Sequence, residues 1–307
     1  MSDKTSDDNS LTRAKSKILD VAEVIFAERA SEKDAAYLAR QLVQATLPHT
    51  NPGDVPAWSR TNGRLTLTIQ PGWDNQKKRS TGYPYGIIPR LLLFWMTKEA
   101  LRTRCRLLEL GPSLSGFMAA LGLDPSRGGK RSDAARLKEQ MMRLFRARIT
   151  FEATIKQDTR TGDARRDMLV AEESMLWWDH NEADQPPKWG SWIELGEKFY
   201  KAITAAAVPV DIRALKALKR SPLALDLYAW LTYEAWRAQR NNQAHFVSWE
   251  LLHAQFGAEY GEVRNFQQKV KAAIAKIKLV YPDLILGRRR GGIEILPSSL
   301  PAIPPKT

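Results

Sequence analysis

Apolar positions repeat with two periods along this chain, and each change of period marks a new element. Ile18, Val21, Ala22, Ile25 and Phe26 share one helical face. Ser31 with Asp34 three residues on resembles a helix start, so a second helix is expected to carry Tyr37, Leu38, Leu42 and Val43. Pro48, Pro52, Gly53 and Pro56 mark a loop. Leu65, Leu67 and Ile69 then alternate with polar partners, which predicts a strand over 64–70. Residues 71–86 are turn-rich and basic, with Lys77, Lys78 and Arg79 in succession. A helix over 89–103, opened by a proline near its first turn, is followed by a short strand at 107–110. Pro112-Ser113 starts a helix to Leu121, with Leu114, Phe117, Met118 and Leu121 on one side. Gly122, Pro125, Gly128 and Gly129 break the chain, and Ser132 caps a helix running to Arg148. A strand at 149–155, a polar turn at 157–166 and a returning strand at 168–177 complete this series.

The same order returns later. Ser221-Pro222 opens a helix bearing Leu223, Leu227, Trp230 and Leu231, Val247 supplies a short strand, and Ser248 caps a helix to Phe256. Residues 257–261 form a turn, 263–280 a long basic helix, and 283–286, 287–292 and 293–296 a hairpin. The two halves share little residue identity, so the repeat is one of element order. Helix, short strand, helix, turn, helix and hairpin is the order of a winged helix-turn-helix. The expected fold is therefore mainly α with small β-hairpins (α+β): two tandem winged-helix domains at 61–204 and 205–297. A disordered segment at 1–16 and a helical extension at 17–60 precede them, and a flexible tail with three prolines follows at 298–307.

A length of 307 residues suits about two domains, and 43% hydrophobic with 26% charged content excludes wholesale disorder. The most apolar stretch, 87–96, is interrupted by Pro89 and Arg90 and falls short of the ~20 residues of a membrane span. MSDKTSDDNS has neither the basic start nor the apolar run of a secretory signal. The lone Cys105 cannot close an internal disulfide, which suits a reducing compartment. A cytoplasmic protein that engages no membrane is expected.

Charge narrows the reading further. Forty-seven Lys and Arg against 34 Asp and Glu leave +13, which favours a polyanionic partner. Two intervals hold the excess. Between Arg127 and Arg166, twelve basic residues against five acidic ones leave +7; between Arg264 and Arg290, eight against one leave +7 again. Such charge neutralises phosphates and releases counterions. On the helix from Ser132, Leu137, Met141, Leu144 and Phe145 make a core arc, while Arg136, Gln140 and Arg143 fall largely on the other side. On the later helix, Phe266, Val270, Ala273, Ile274 and Ile277 form the core arc, and Arg264, Asn265, Gln268 and Lys271 face away. Arg pairs with guanine, and Asn or Gln with adenine, at the major-groove edge, so this second face could read bases. Arg165, Arg166 and the tip residues Arg288, Arg289 and Arg290 are candidate backbone or minor-groove contacts, and Arg127, Lys130 and Arg131 are DNA-binding candidates as part of the phosphate-neutralising interval. Two such readers on neighbouring turns would span roughly 20 bp.

Catalytic signals are weak. The nearest approach to a phosphate-binding G-x-x-x-x-G-K-[ST] loop has Asp124 in place of its first glycine and Arg131 in place of Ser or Thr. His49, His180, His245 and His253 lack metal-ligand spacing. Glu172 and Glu173 alternate across a strand and would not share a site. No catalytic residue, metal or cofactor is expected. The tryptophans, Trp177, Trp178, Trp189 and Trp192 among them, are expected in the core or between modules, with stacking on melted DNA as the alternative for one of them.

The stretch Gly82-Tyr-Pro-Tyr-Gly-Ile-Ile-Pro-Arg-Leu-Leu-Leu-Phe-Trp-Met-Thr-Lys-Glu-Ala-Leu-Arg-Thr103, followed by Leu108-Glu-Leu-Gly-Pro-Ser-Leu-Ser-Gly-Phe-Met-Ala-Ala-Leu-Gly122, resembles the RepA-type plasmid replication initiators. An Arg-Leu-x-x-Gln-Met-x-x-Leu pattern on the next helix stands here as Arg136 to Leu144. The resemblance covers roughly residues 60–200. It implies a non-enzymatic initiator that binds tandem repeats of double-stranded origin DNA, promotes duplex opening, and brings in the host initiator and replicative helicase. It also implies a homodimer when such a protein represses its own gene. A DNA-binding repressor using the same modules is the alternative, followed by a nucleic-acid enzyme.

Overall fold

The computed structural model describes residues 16–126, 129, 132–157, 160–178, 190–257 and 259–304. The expected disorder of the first fifteen residues lies outside them. The chain divides into two compact units: residues 37–207 form a middle unit, and residues up to 36 join those from 208 onward in a discontinuous one. Residues 37–60, expected in a helical extension, thus belong to the middle unit.

The discontinuous unit opens with helix α1 (16–27), which buries Ile18, Ala22 and Ile25 but leaves Phe26 exposed. Ser31 and Asp34 do form a reciprocal cap, with the Asp34 carboxylate accepting the Ser31 N–H at 3.0 Å, yet it closes only one 3-10 turn, Glu32–Asp34. The expected second helix is instead strand β1 (Ala35–Ala39) followed by the short α2 (Arg40–Gln44).

The middle unit continues with β2 (Trp58–Asn62), β3 (Leu65–Gln70), β4 (Trp73–Asp74), β5 (Arg79–Ser80), α3 (Ile87–Thr103), β6 (Leu107–Glu109), α4 (Leu114–Ala120) and α5 (Asp133–Phe145). It ends with β7 (Arg148–Gln157), β8 (Arg160–Leu169), β9 (Ala171–Met175), β10 (Trp192–Leu195) and α6 (Glu197–Ala205). Within this unit β2-β3-β7-β8 form an antiparallel sheet. Its register sets Leu67 opposite Phe151 and Ile69 opposite Ile149, itself opposite Met168, and all five side chains are buried. Alternation sends Thr66, Thr68, Thr150, Glu152 and Arg165 to the other face. A second sheet runs β6-β10-β9. Helix α3 carries Leu91, Leu92, Leu93, Phe94 and Met96, all buried, so it is enclosed nearly all round and packs against α5 and α6.

Strand β11 (Ala207–Asp211) returns the chain to the discontinuous unit, which adds α7 (Ile212–Leu218), α8 (Pro222–Asn241), β12 (His245–Ser248), α9 (Trp249–Phe256), α10 (Val263–Val280) and β13 (Gly292–Ile295). Helix α8 is its buried centre, with α7 and α10 packed on it. The molecule is therefore mixed α and β, with small sheets, and richer in strand than a mainly helical reading implies.

Three further expectations need correction. The polar turn at 157–166 is mostly ladder, because β8 begins at Arg160 and pairs Arg165 with Glu152 and Arg166 with Phe151. Residues 283–286 form no strand, only an isolated bridge between Leu286 and Ile295, since β13 pairs along its length with β12. The tail is docked through residue 303: the Ser299 hydroxyl accepts the Ile285 N–H and donates to the Ile285 carbonyl, each at 3.0 Å, and Ile303 is buried.

Candidate nucleic-acid interface

In the middle unit, the Ser132 hydroxyl accepts the Ala135 N–H at 3.1 Å and starts α5. Leu137, Met141, Leu144 and Phe145 are buried. Gln140, expected on the polar side, is buried too, because a residue four positions before Leu144 lies only about 40° round the helix from it. Its side-chain oxygen accepts the Tyr85 N–H at 3.0 Å. Arg143 also turns onto this segment: Nη1 donates to the Tyr83 carbonyl at 3.2 Å, and the guanidinium lies 5.2 Å over the Tyr85 ring while pairing with Glu139. A Cβ on Gly82 would approach Arg143 Nη1 to 2.9 Å.

The two sequence patterns that carry the family resemblance therefore touch each other. Their other polar members are also structural. Buried Arg90 donates to the carbonyls of Gly86 and Leu47, both at 2.6 Å, and of Pro48 at 3.0 Å. The Tyr83 hydroxyl donates to the Val55 carbonyl at 2.6 Å. Gly86, at φ 77° just before α3, holds a backbone geometry suited to glycine.

The remaining candidates of this unit divide between paired and open. Arg136 is exposed and ion-paired with Asp133. Arg165 pairs with Asp167 at 3.0 Å and Glu152 at 3.7 Å. Hydrogen bonds from Thr150 and then Arg165 hold the Asp167 carboxyl below the usual carboxylate range, so that partner stays charged. Arg166 is exposed but, as the next residue of β8, points to the opposite face from Arg165. Arg127, Lys130 and Arg131 lie outside the described residues.

The discontinuous unit is different. Helix α10 buries Phe266, Val270, Ala273 and Ile277, leaves Ile274 half-buried, and exposes Arg264, Asn265, Gln268 and Lys271. Arg288, Arg289 and Arg290 are exposed in the loop that enters β13. The Gly287 N–H donates to the Glu294 carbonyl at 2.8 Å and closes that loop, while Gly291, at φ 87°, turns it. Gly292 sits where a Cβ would lie 2.1 Å from the Val247 carbonyl oxygen, so only glycine lets the loop settle against β12.

Trp249 connects the helix face to this loop. Its backbone N–H donates to the Gly291 carbonyl at 3.0 Å, and its ring lies 5.8 Å beneath Lys271 Nζ. Phe246, on β12, holds the Arg289 guanidinium 4.1 Å above its ring. Among the described residues, no carboxylate pairs with Arg264, Lys271, Arg288, Arg289 or Arg290. Trp249 and Phe246 were missed as site residues by the sequence reading, which treated aromatics as core. Their placement, Phe246 within a short strand and Trp249 directly after the capping serine that ends it, was the available signal.

A family model described as plasmid encoded RepA protein matches residues 83–251, more than half of the chain and spanning both the Tyr83–Arg90 segment and α5. The chain belongs to that RepA family. RepA proteins of this kind are plasmid replication initiators, and DNA replication is the process to which the chain belongs. The match stops at Leu251, before α10, so the uncompensated helix face and arginine loop are read from the geometry alone. No curated protein matches. Two crystal structures of domains 2 and 3 of RctB are similar: one at 10% identity and TM-score 0.46, covering 81% of this chain and 94% of that one. The other is at 9% identity and TM-score 0.42, covering 83% and 94%. Among the described residues no helix is long and apolar enough to cross a membrane, and no group of three or more His, Cys, Asp or Glu could hold a metal ion.

Proposed function

We propose that this RepA-family chain binds tandem repeats of double-stranded DNA at its plasmid origin, with the discontinuous unit as its principal reader. The observation that carries this reading is the face built by Arg264, Asn265, Gln268 and Lys271 beside Arg288–Arg290, joined through Trp249 and holding no paired carboxylate among the described residues. Both units act as winged-helix modules in this reading. The Arg288–Arg290 loop is the wing of the second, on backbone or minor groove, and α10 lies in a major groove, where its amides and Arg264 meet base edges.

Binding over several adjacent repeats strains a neighbouring AT-rich segment and promotes its opening, without nucleotide hydrolysis by the chain itself. The opened duplex then receives the host initiator and replicative helicase, and a homodimer represses the chain's own gene. The site asks for cations, amides and fixed loops, not for a catalytic group. The whole activity belongs in the cytoplasm, where plasmid DNA and these partners are found.

Protection mapping of the purified chain on DNA flanking its own gene tests the reading. Directly repeated protected blocks support an initiator, whereas a single palindrome over the promoter would identify a repressor. Interrupting the gene on a plasmid carrying the minimal origin should abolish replication.

A further inference from the structure

The middle unit carries a second basic surface. Strands β4 and β5 form a hairpin that pairs Trp73 with Ser80 and Asp74 with Arg79. Lys77 and Lys78 stand in its turn and Arg79 begins its return strand, all three exposed. The turn is fixed from inside, since Asp74 Oδ1 accepts the N–H groups of Gln76 at 3.0 Å and Lys77 at 3.1 Å.

The base of the hairpin is fixed as well. Thr81 donates to the Gly72 carbonyl through its N–H at 2.9 Å and its hydroxyl at 3.1 Å. Gly72 lies so close to the C-terminal end of α5 that a Cβ there would come within 2.4 Å of Arg146 Cβ. Arg146 Nη1 donates in turn to the Trp73 carbonyl at 3.3 Å.

Lys78 occupies φ 50°, a left-handed conformation that glycine or asparagine adopts with less strain. A lysine is nevertheless found there, which puts an exposed cation in a turn held by its own hydrogen bonds. An open cleft of about 490 Å³ separates the hairpin from α5. Its cations are Lys77, Arg79, Lys138 and Arg143. Of the facing carboxylates, Asp74 is engaged by the turn and by Lys77, and Glu139 by Arg143, while Asp54 completes the lining. Lys78 and Arg79 have no ion-pair partner among the described residues.

We infer that the β4–β5 hairpin is a phosphate-binding element: Lys77, Lys78 and Arg79, with Lys138 from α5, grip the sugar–phosphate backbone of duplex DNA. The inference rests on the DNA-binding reading above and adds a contact in the other unit. It gives the middle unit a backbone grip that Arg165 and Arg166, on opposite faces of β8, cannot supply together. Cations held on a pinned hairpin lose little freedom on binding and release counterions when they meet phosphates.

The test is a salt titration of duplex binding by the full chain and by a Lys77→Gln, Lys78→Asn, Arg79→Gln triple variant. Asparagine is chosen at 78 because it tolerates the positive φ. The variant should keep the wild-type circular dichroism spectrum and its preference for cognate over random DNA. The slope of log affinity against log salt should fall by about 2–3, near 0.9 for each phosphate no longer neutralised. Lys77→Arg with Lys78→Arg should retain the wild-type slope. A triple variant with the wild-type slope overturns the inference while leaving the DNA-binding reading intact. So does a variant that loses binding only to vesicles of anionic lipid, which would make the hairpin a membrane contact. Wild-type protein that shows no salt-dependent duplex binding overturns the reading itself.

Discussion

Burying an amide side chain is tolerable while its hydrogen bond is made and costly once the bond is broken. Gln140 is in that position: its oxygen takes the Tyr85 N–H, and Leu137, Met141 and Leu144 around it are fully enclosed. Replacing Gln140 by Leu should strand the Tyr85 N–H and cost about 1–3 kcal/mol of stability, read as a lower midpoint in urea unfolding. The ratio of cognate to random DNA affinity should not move; a selective loss on cognate DNA would show that Gln140 reads sequence. Residue type alone could not make this distinction, since glutamine suits both a base edge and a buried backbone partner. What decides it is the segment at 82–86, more than fifty residues away in sequence, which brings an unpaired N–H to that point of α5. Arg143 was ambiguous for the same reason.

Elements with strong local signals were legible. Ser113, Ser132, Ser221 and Ser248 each cap the helix that follows, accepting the N–H three residues on at 3.1–3.3 Å. Helix α10 spans the expected range, 263–280. The short element at 35–39 was not legible, because a five-residue apolar run such as Ala35–Ala39 has no period to distinguish strand from helix, and tertiary pairing decides it. The stretch holding Arg165 and Arg166 was misread because its polar composition suggests a turn, whereas cross-strand bonds such as Thr154 to Asp163 suit an exposed ladder. At the arginine loop, close packing leaves room only for glycine. Gly292→Ala would press a methyl against the Val247 carbonyl and displace the loop from β12. Duplex affinity should fall several-fold while α10 keeps its helicity; unchanged affinity would mean that the loop's position is irrelevant to binding.

Across the whole molecule, the two basic intervals carry similar net charge but differ in what is left over for a partner. In the middle unit, Arg136, Arg143 and Arg165 each face a carboxylate of their own unit. In the discontinuous unit, Lys271 of α10 stands over an aromatic ring, and the loop arginines meet solvent. A cation already paired has less to gain from a phosphate, because its carboxylate must first be displaced. Replacing Arg288, Arg289 and Arg290 by Gln should therefore weaken cognate and random DNA alike and flatten the salt dependence, whereas neutralising Arg136 and Arg165 should change that slope less. Replacing Arg264 or Gln268 by Ala should act differently from either, lowering cognate affinity by about 1–3 kcal/mol with little effect on random DNA. Binding titrations of the variants on both duplexes at several salt concentrations separate the three classes. Equal losses on the two duplexes from Arg264→Ala and Gln268→Ala would remove α10 as the reader and leave the discontinuous unit with a backbone grip alone.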